Sequence, residues 1–159
     1  MKKMMAYDLP TRLFHWFFVA LFGGAFFIAK TYDDESSVYP YHMMLGMLLV
    51  LTVFLRVLWG IFGSRYARFS SLQLDPRALL TYFKNLFTGK TQRTLGHNPA
   101  SSWAAIVMMG LVIGLGFSGY MMTQGANKEF FEEIHELCGN VFVGVAIAHV
   151  AGVIVHCLR

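Results

Sequence analysis

At 159 residues, 56% hydrophobic, 16% aromatic and only 14% charged, the chain is too apolar for a water-soluble domain of its size. Its formal charge of +4 is not a nucleic-acid signal, because the basic residues flank apolar runs instead of gathering in a patch. With a mean hydropathy of +0.51, it reads as an all-α integral membrane protein, a single domain over residues 1–159 with four spans.

The chain opens on a polar lead with Lys2 and Lys3, and Asp8-Leu9-Pro10-Thr11 has the form of a helix start that Asp8 or Thr11 can cap. The first span covers about residues 12–30 and carries His15 one turn inside. Its length suits a crossing, and no small-x-small cleavage site precedes the following polar loop, so it is read as a span and not a cleavable signal. An acidic loop with Asp33, Asp34 and Glu35 leads to Pro40 and a second span over about residues 41–62. His42 stands at its start, and Arg56 lies 14 residues further on the same face. An arginine at that depth either snorkels to the interface or pairs with an anion, and guanidinium grips carboxylate bidentately.

Residues 63–101 form the longest polar stretch. Within it, Asp75-Pro76 followed by RALLTYFKNLF and Gly89 has a cap, a first-turn proline and a glycine stop, which predicts an amphipathic helix on the membrane surface. The stretch ends in Gly96-His97-Asn98-Pro99, where His97 reads first as an interfacial residue. The third span, about residues 103–123, has no histidine and no charge. Its Gly110 and Gly114, with Gly116 and Gly119 beyond, serve close helix packing or leave room for a flat cofactor. A second acidic connector holds Glu129, Glu132 and Glu133, with Asn127 able to cap the fourth helix. That last span, about residues 135–157, carries His135, His149 and His156. Cys138 and Cys157 lie 19 residues apart on it, about 28 Å by helical rise, and cannot pair.

Lysine and arginine set the orientation. They crowd the N-terminal lead and the central loop (Arg65, Arg68, Arg77, Lys84, Lys90, Arg93), whereas the other connectors hold only Lys30 and Lys128. Both termini and the long loop are therefore expected in the cytoplasm, and the acidic loops outside. The histidines then sort by depth into an inner pair, His15 with His149, and an outer pair, His42 with His135. His135 and His149 are 14 residues apart, so they share a helix face about 21 Å apart along the axis. A polar ring in hydrocarbon is costly unless something binds it, and neutral imidazole is a haem iron ligand. Two same-depth pairs can hold two haems, with an edge gap of order 10 Å after two porphyrin radii are subtracted from that rise. Arg56 falls at the depth of the inner haem, where a propionate is a carboxylate for it to pair with, and His156 reads as interfacial. There is no C-x-x-C-H, so the haems are expected to be non-covalent.

Together these pieces resemble the bacterial cytochrome b561 and nickel-hydrogenase b-type cytochrome family. The residues that carry the likeness are Tyr7-Asp8-Leu9-Pro10-Thr11-Arg12-Leu13-Phe14-His15-Trp16, His42 with Gly46, Arg56-Val57-Leu58-Trp59-Gly60, Gly96-His97-Asn98-Pro99, and the helix with His135, His149 and His156. The resemblance implies a four-helix bundle with two bis-histidine haems b on His15, His42, His135 and His149. It also implies electron exchange between the quinone pool and a partner such as a c-type cytochrome or a hydrogenase, in the bacterial inner membrane. By analogy with related cytochrome subunits, His97 and Asn98 are candidates for the quinone pocket. No residue is assigned a catalytic role beyond electron transfer. Rival readings are a membrane-anchor subunit with structural haems in a larger redox complex, and a haem-free transporter, against which stands the lack of an internal repeat or broken helices; a homodimer stays open in each.

Overall fold

A computed structural model describes residues 8–65, 67–88, 98–125 and 127–158, with side chains given for all of these but 87 and 156–158. His97, Gly89 and the side chain of His156, singled out above, lie outside the described residues.

The described residues are all-helical, with no strand. Helices α1 (Leu9–Thr31), α2 (Tyr39–Phe62), α4 (Pro99–Thr123) and α5 (Lys128–Leu158) are each long and apolar enough to cross a membrane. Between α2 and α4 come a single 3-10 turn at Phe69–Ser71 and the short helix α3 (Pro76–Phe87). Helix α1 packs on α2, α2 on α4, and α4 on α5. Most large apolar side chains point outward, Met47 and Phe62 among them, as they must where lipid and not protein is the solvent.

The helix starts follow local chemistry. Asp8 caps α1 by accepting from the Thr11 N–H, Asp75 caps α3 through Arg77, and Asn98 caps α4 through Ser101. A proline sits in the first turn of each. Helix α4 therefore begins four residues before the apolar run that marked its span, and α5 seven residues before. At the head of α5, Asn127 takes a positive φ of 47° and its carbonyl accepts from the Phe131 N–H. Helix α3 is the amphipathic helix the spacing predicts. It packs against α4 and leaves Leu80 and Phe83 exposed for an apolar boundary.

Seven-residue spacing builds a central layer. Leu49 lies midway between His42 and Arg56 on α2, and Phe142 midway between His135 and His149 on α5. Both are buried, with Val53 and Val112, in one core cluster. Phe22, seven residues after His15, stacks on Phe142 at 3.8 Å between centroids, and Phe18 approaches it at 5.7 Å. The layer is apolar, so it keeps the two histidine depths apart.

The small-residue stripe on α4 is mainly a packing device. A Cβ at Gly116 would lie 2.5 Å from Val50 Cγ2 on α2, and one at Gly114 would lie 3.3 Å from the Cys138 sulfur on α5. Gly119 instead clears the His135 ring, 3.6 Å from where its Cβ would be, and Gly110 faces open space.

Asp8 does more than cap. Its carboxylate also accepts from Trp59 Nε1 at 3.2 Å and from the Ser64 hydroxyl, so it ties the start of α1 to the end of α2. Burial acts to raise its pKa, but the bonds from Ser64, Thr11 and Trp59 outweigh that and hold it at about 2, against an ordinary 3.8. A carboxyl depressed in this way stabilises the fold above 3.8, and the contribution is lost as pH falls towards about 2. Asp8→Ala is expected to cost about 1 kcal/mol at neutral pH through the lost cap alone. Its thermal midpoint in detergent, followed by circular dichroism, should fall below the parent's at pH 7, and the gap should narrow as pH approaches 2. A gap independent of pH would mean that the carboxylate charge is not what the tie uses.

Candidate functional site

The outer pair comes from α2 and α5. The rings of His42 and His135 lie 6.1 Å apart between centroids and cross at 70°. Each ring is oriented through Nδ1. His42 Nδ1 is 2.8 Å from the Ala25 carbonyl oxygen on α1. His135 Nδ1 is 3.1 Å from the Leu115 carbonyl oxygen and 3.0 Å from Ser118 Oγ, both on α4. A carbonyl can only accept, so each Nδ1 carries the hydrogen, and in the neutral ring Nε2 holds a bare lone pair. Each imidazole is thus set in the tautomer a metal ligand needs.

The inner end is a cavity of about 480 Å³ between the helices. His15 and Thr11 line it from α1, Arg56 and Thr52 from α2, Ser101 and Met108 from α4, and His149 from α5. His149 is half-buried, His15 is exposed, and the two rings lie within electrostatic range of each other. Arg56 reaches this cavity by a supported route. Its Nη2 donates to the Ala67 carbonyl at 3.1 Å, and its guanidinium lies over the Phe69 ring at 5.4 Å. Its Nη1 and the Thr11 hydroxyl are buried without a hydrogen-bond partner. A buried N–H or hydroxyl left without a partner is costly, so this corner of the cavity suits a ligand that brings an acceptor, an anion above all.

These contacts also show what the sequence missed. Ser118 and the carbonyls of Ala25 and Leu115 carry no signal in a linear pattern, because a serine in an apolar helix reads as a small packing residue. Asn98, a quinone-pocket candidate from its loop, spends its side-chain oxygen on the cap of α4 and keeps its amide nitrogen as a donor. Among the described residues no three or more His, Cys, Asp or Glu side chains converge; the histidines meet in twos.

Histidines paired inside a bundle of membrane-length helices are the donor set of a membrane-bound haem protein. The chain matches the family model for prokaryotic cytochrome b561 over residues 6–159, and it belongs to that family. No curated protein and no solved structure matched it. It is therefore a multi-pass b-type cytochrome, a haem-binding electron carrier.

The residues present fit such a group. Two imidazoles bound through Nε2 to opposite faces of one metal ion, at about 2 Å each, would place their centroids about 6 Å apart, which is the spacing of His42 and His135. At the inner end the unpartnered Arg56 Nη1 and Thr11 hydroxyl suit a carboxylate-bearing ligand.

Proposed function

We propose that the chain carries two non-covalent haems b, one between His42 and His135 and one between His15 and His149, and moves electrons across the bacterial inner membrane between the quinone pool and a periplasmic redox partner. The observation that carries this reading is the outer pair, whose rings are both anchored at Nδ1 and stand at bis-ligand spacing. The haems supply the one-electron chemistry. The chain holds their iron through imidazole, surrounds them with apolar side chains, and compensates charge with Arg56 at the inner end. Phe22 and Phe142 keep the space between the two sites dry.

Topology supports the polarity of that route. Arg65, Arg68, Arg77 and Lys84 sit on the α2–α4 side, and the acidic residues Asp33, Asp34, Glu35, Glu129, Glu132 and Glu133 on the opposite side. The first side, with both termini, is cytoplasmic in this reading. The acidic side suits a basic c-type cytochrome or the docking face of a hydrogenase. Quinone then meets the inner end, with Asn98, at the head of α4, and His97 beside it in sequence as the candidate residues. A second reading keeps both haems but makes the chain an anchor subunit in a larger redox complex.

Purified protein made with ample haem should give a sharp b-type α band in a reduced-minus-oxidised spectrum, with two extractable haems per chain. One haem would mean that one of the two pairs is misassigned. None would overturn the proposal.

A further inference from the structure

We propose that Ser118, together with the Ala25 and Leu115 carbonyls, makes the two outer imidazoles strong ligands and so holds the outer haem at a lower potential than the inner one. The inference rests on the two-haem reading above.

Ser118 is fully buried, so no water competes for it. Its hydroxyl donates to the Gly114 carbonyl at 2.8 Å, which satisfies it within its own helix. Its lone pair is thereby turned to accept the His135 Nδ1–H at 3.0 Å, across to α5. The Leu115 carbonyl shares the same hydrogen at 3.1 Å. His42 has an equivalent acceptor in Ala25 at 2.8 Å. An Nδ1–H drawn towards an acceptor pushes electron density to Nε2 and raises the basicity of the ligand. A more basic ligand favours ferric over ferrous iron, which lowers the potential.

The inner pair lacks this support. Among the described residues neither His15 nor His149 donates from its ring to a protein acceptor; the ring contact of His15 is with Trp16, at 5.7 Å. The inner cavity also contains the Arg56 guanidinium, a fixed positive charge that disfavours the ferric state. The acidic connectors at the outer end act in the opposite sense on the outer haem. Three independent features therefore separate the two potentials in the same direction, and among the acceptors that hold the outer rings Ser118 is the one that is a side chain. It is a positioning residue, acting through His135.

The test is a redox titration of the purified two-haem protein, followed at the α band. Ser118→Ala is expected to raise the lower-potential component. The rise should correspond to as much as about a tenfold change in its ferric-to-ferrous ratio at fixed potential, about 59 mV for one electron. The upper component should stay in place. Arg56→Gln is expected to lower the upper component and spare the lower, which assigns the two. Ser118→Thr, which keeps the hydroxyl, should hold the parent potentials. The inference is overturned if Ser118→Ala retains two haems and moves neither component, or moves the upper one, or if Ser118→Thr shifts as far as Ser118→Ala. Two haems with unmoved potentials would leave the two-haem reading standing. Fewer than two haems in the parent protein would remove both.

Discussion

His149→Leu should leave one haem per chain and abolish reduction of a quinone analogue, while the protein still inserts and folds. Leucine has no lone pair for iron, and its volume is close enough to imidazole for α5 to keep its packing. The outer pair should not notice. His135 is 14 residues away, about 21 Å along the helix, and the buried layer of Leu49 and Phe142 with Phe22 stands between. Sites so separated, with no shared partner, respond independently. The remaining haem should therefore keep the outer component's potential. Haem extraction, a redox titration and quinone-reduction kinetics on the same preparation check each part. Two haems in the variant would remove His149 from the ligand set. One haem with quinone reduction intact would show that electrons do not pass through the inner site.

The same layered geometry explains how much could be read before the structure. The four spans were legible because membrane helices announce themselves in composition, and the Asp75-Pro76 start of α3 because a cap followed by proline has few other meanings. The starts of α4 and α5 lie earlier in the chain than their apolar runs indicate. Pro99 to Ser102, and Lys128 to Ile134, are polar enough to look like connectors although their backbone is helical. The heptad spacing that groups His135 with His149 also marks Phe142, but an aromatic residue in an apolar run does not stand out by type. The Ala25 and Leu115 carbonyls are wholly illegible, since every residue has one. The tie from Asp8 to Trp59 and Ser64 spans more than 50 residues of chain and depends on α1 and α2 lying side by side. Arg56 could be suspected from its depth; that Nη1 is left without a partner beside His149 could not.

Gly60→Leu is expected to be the most damaging change away from the histidines. Gly60 is buried on α2, one turn after Arg56. A Cβ there would run into the Phe69 ring, whose Cζ and Cδ2 atoms would lie 2.6 and 2.8 Å away. The ring cannot yield cheaply, because it supports the Arg56 guanidinium at 5.4 Å and belongs to the 3-10 turn that follows the Arg56 acceptor, Ala67. A few residues further on, the Gln73 N–H is anchored to the buried hydroxyl of Ser102 on α4. Displacing Phe69 therefore strains a loop pinned at both ends. Overpacking of this kind typically costs 1–3 kcal/mol, so about that much stability should be lost. More tellingly, Arg56 loses both its aromatic support and its carbonyl acceptor, so inner haem content should fall while the outer haem stays. Gly60→Ala should show the same pattern in milder form. The check is haem per chain together with the detergent melting curve: equal loss of both haems would point to general unfolding, whereas selective loss of the component that Arg56→Gln also shifts would trace the damage through Phe69 to Arg56.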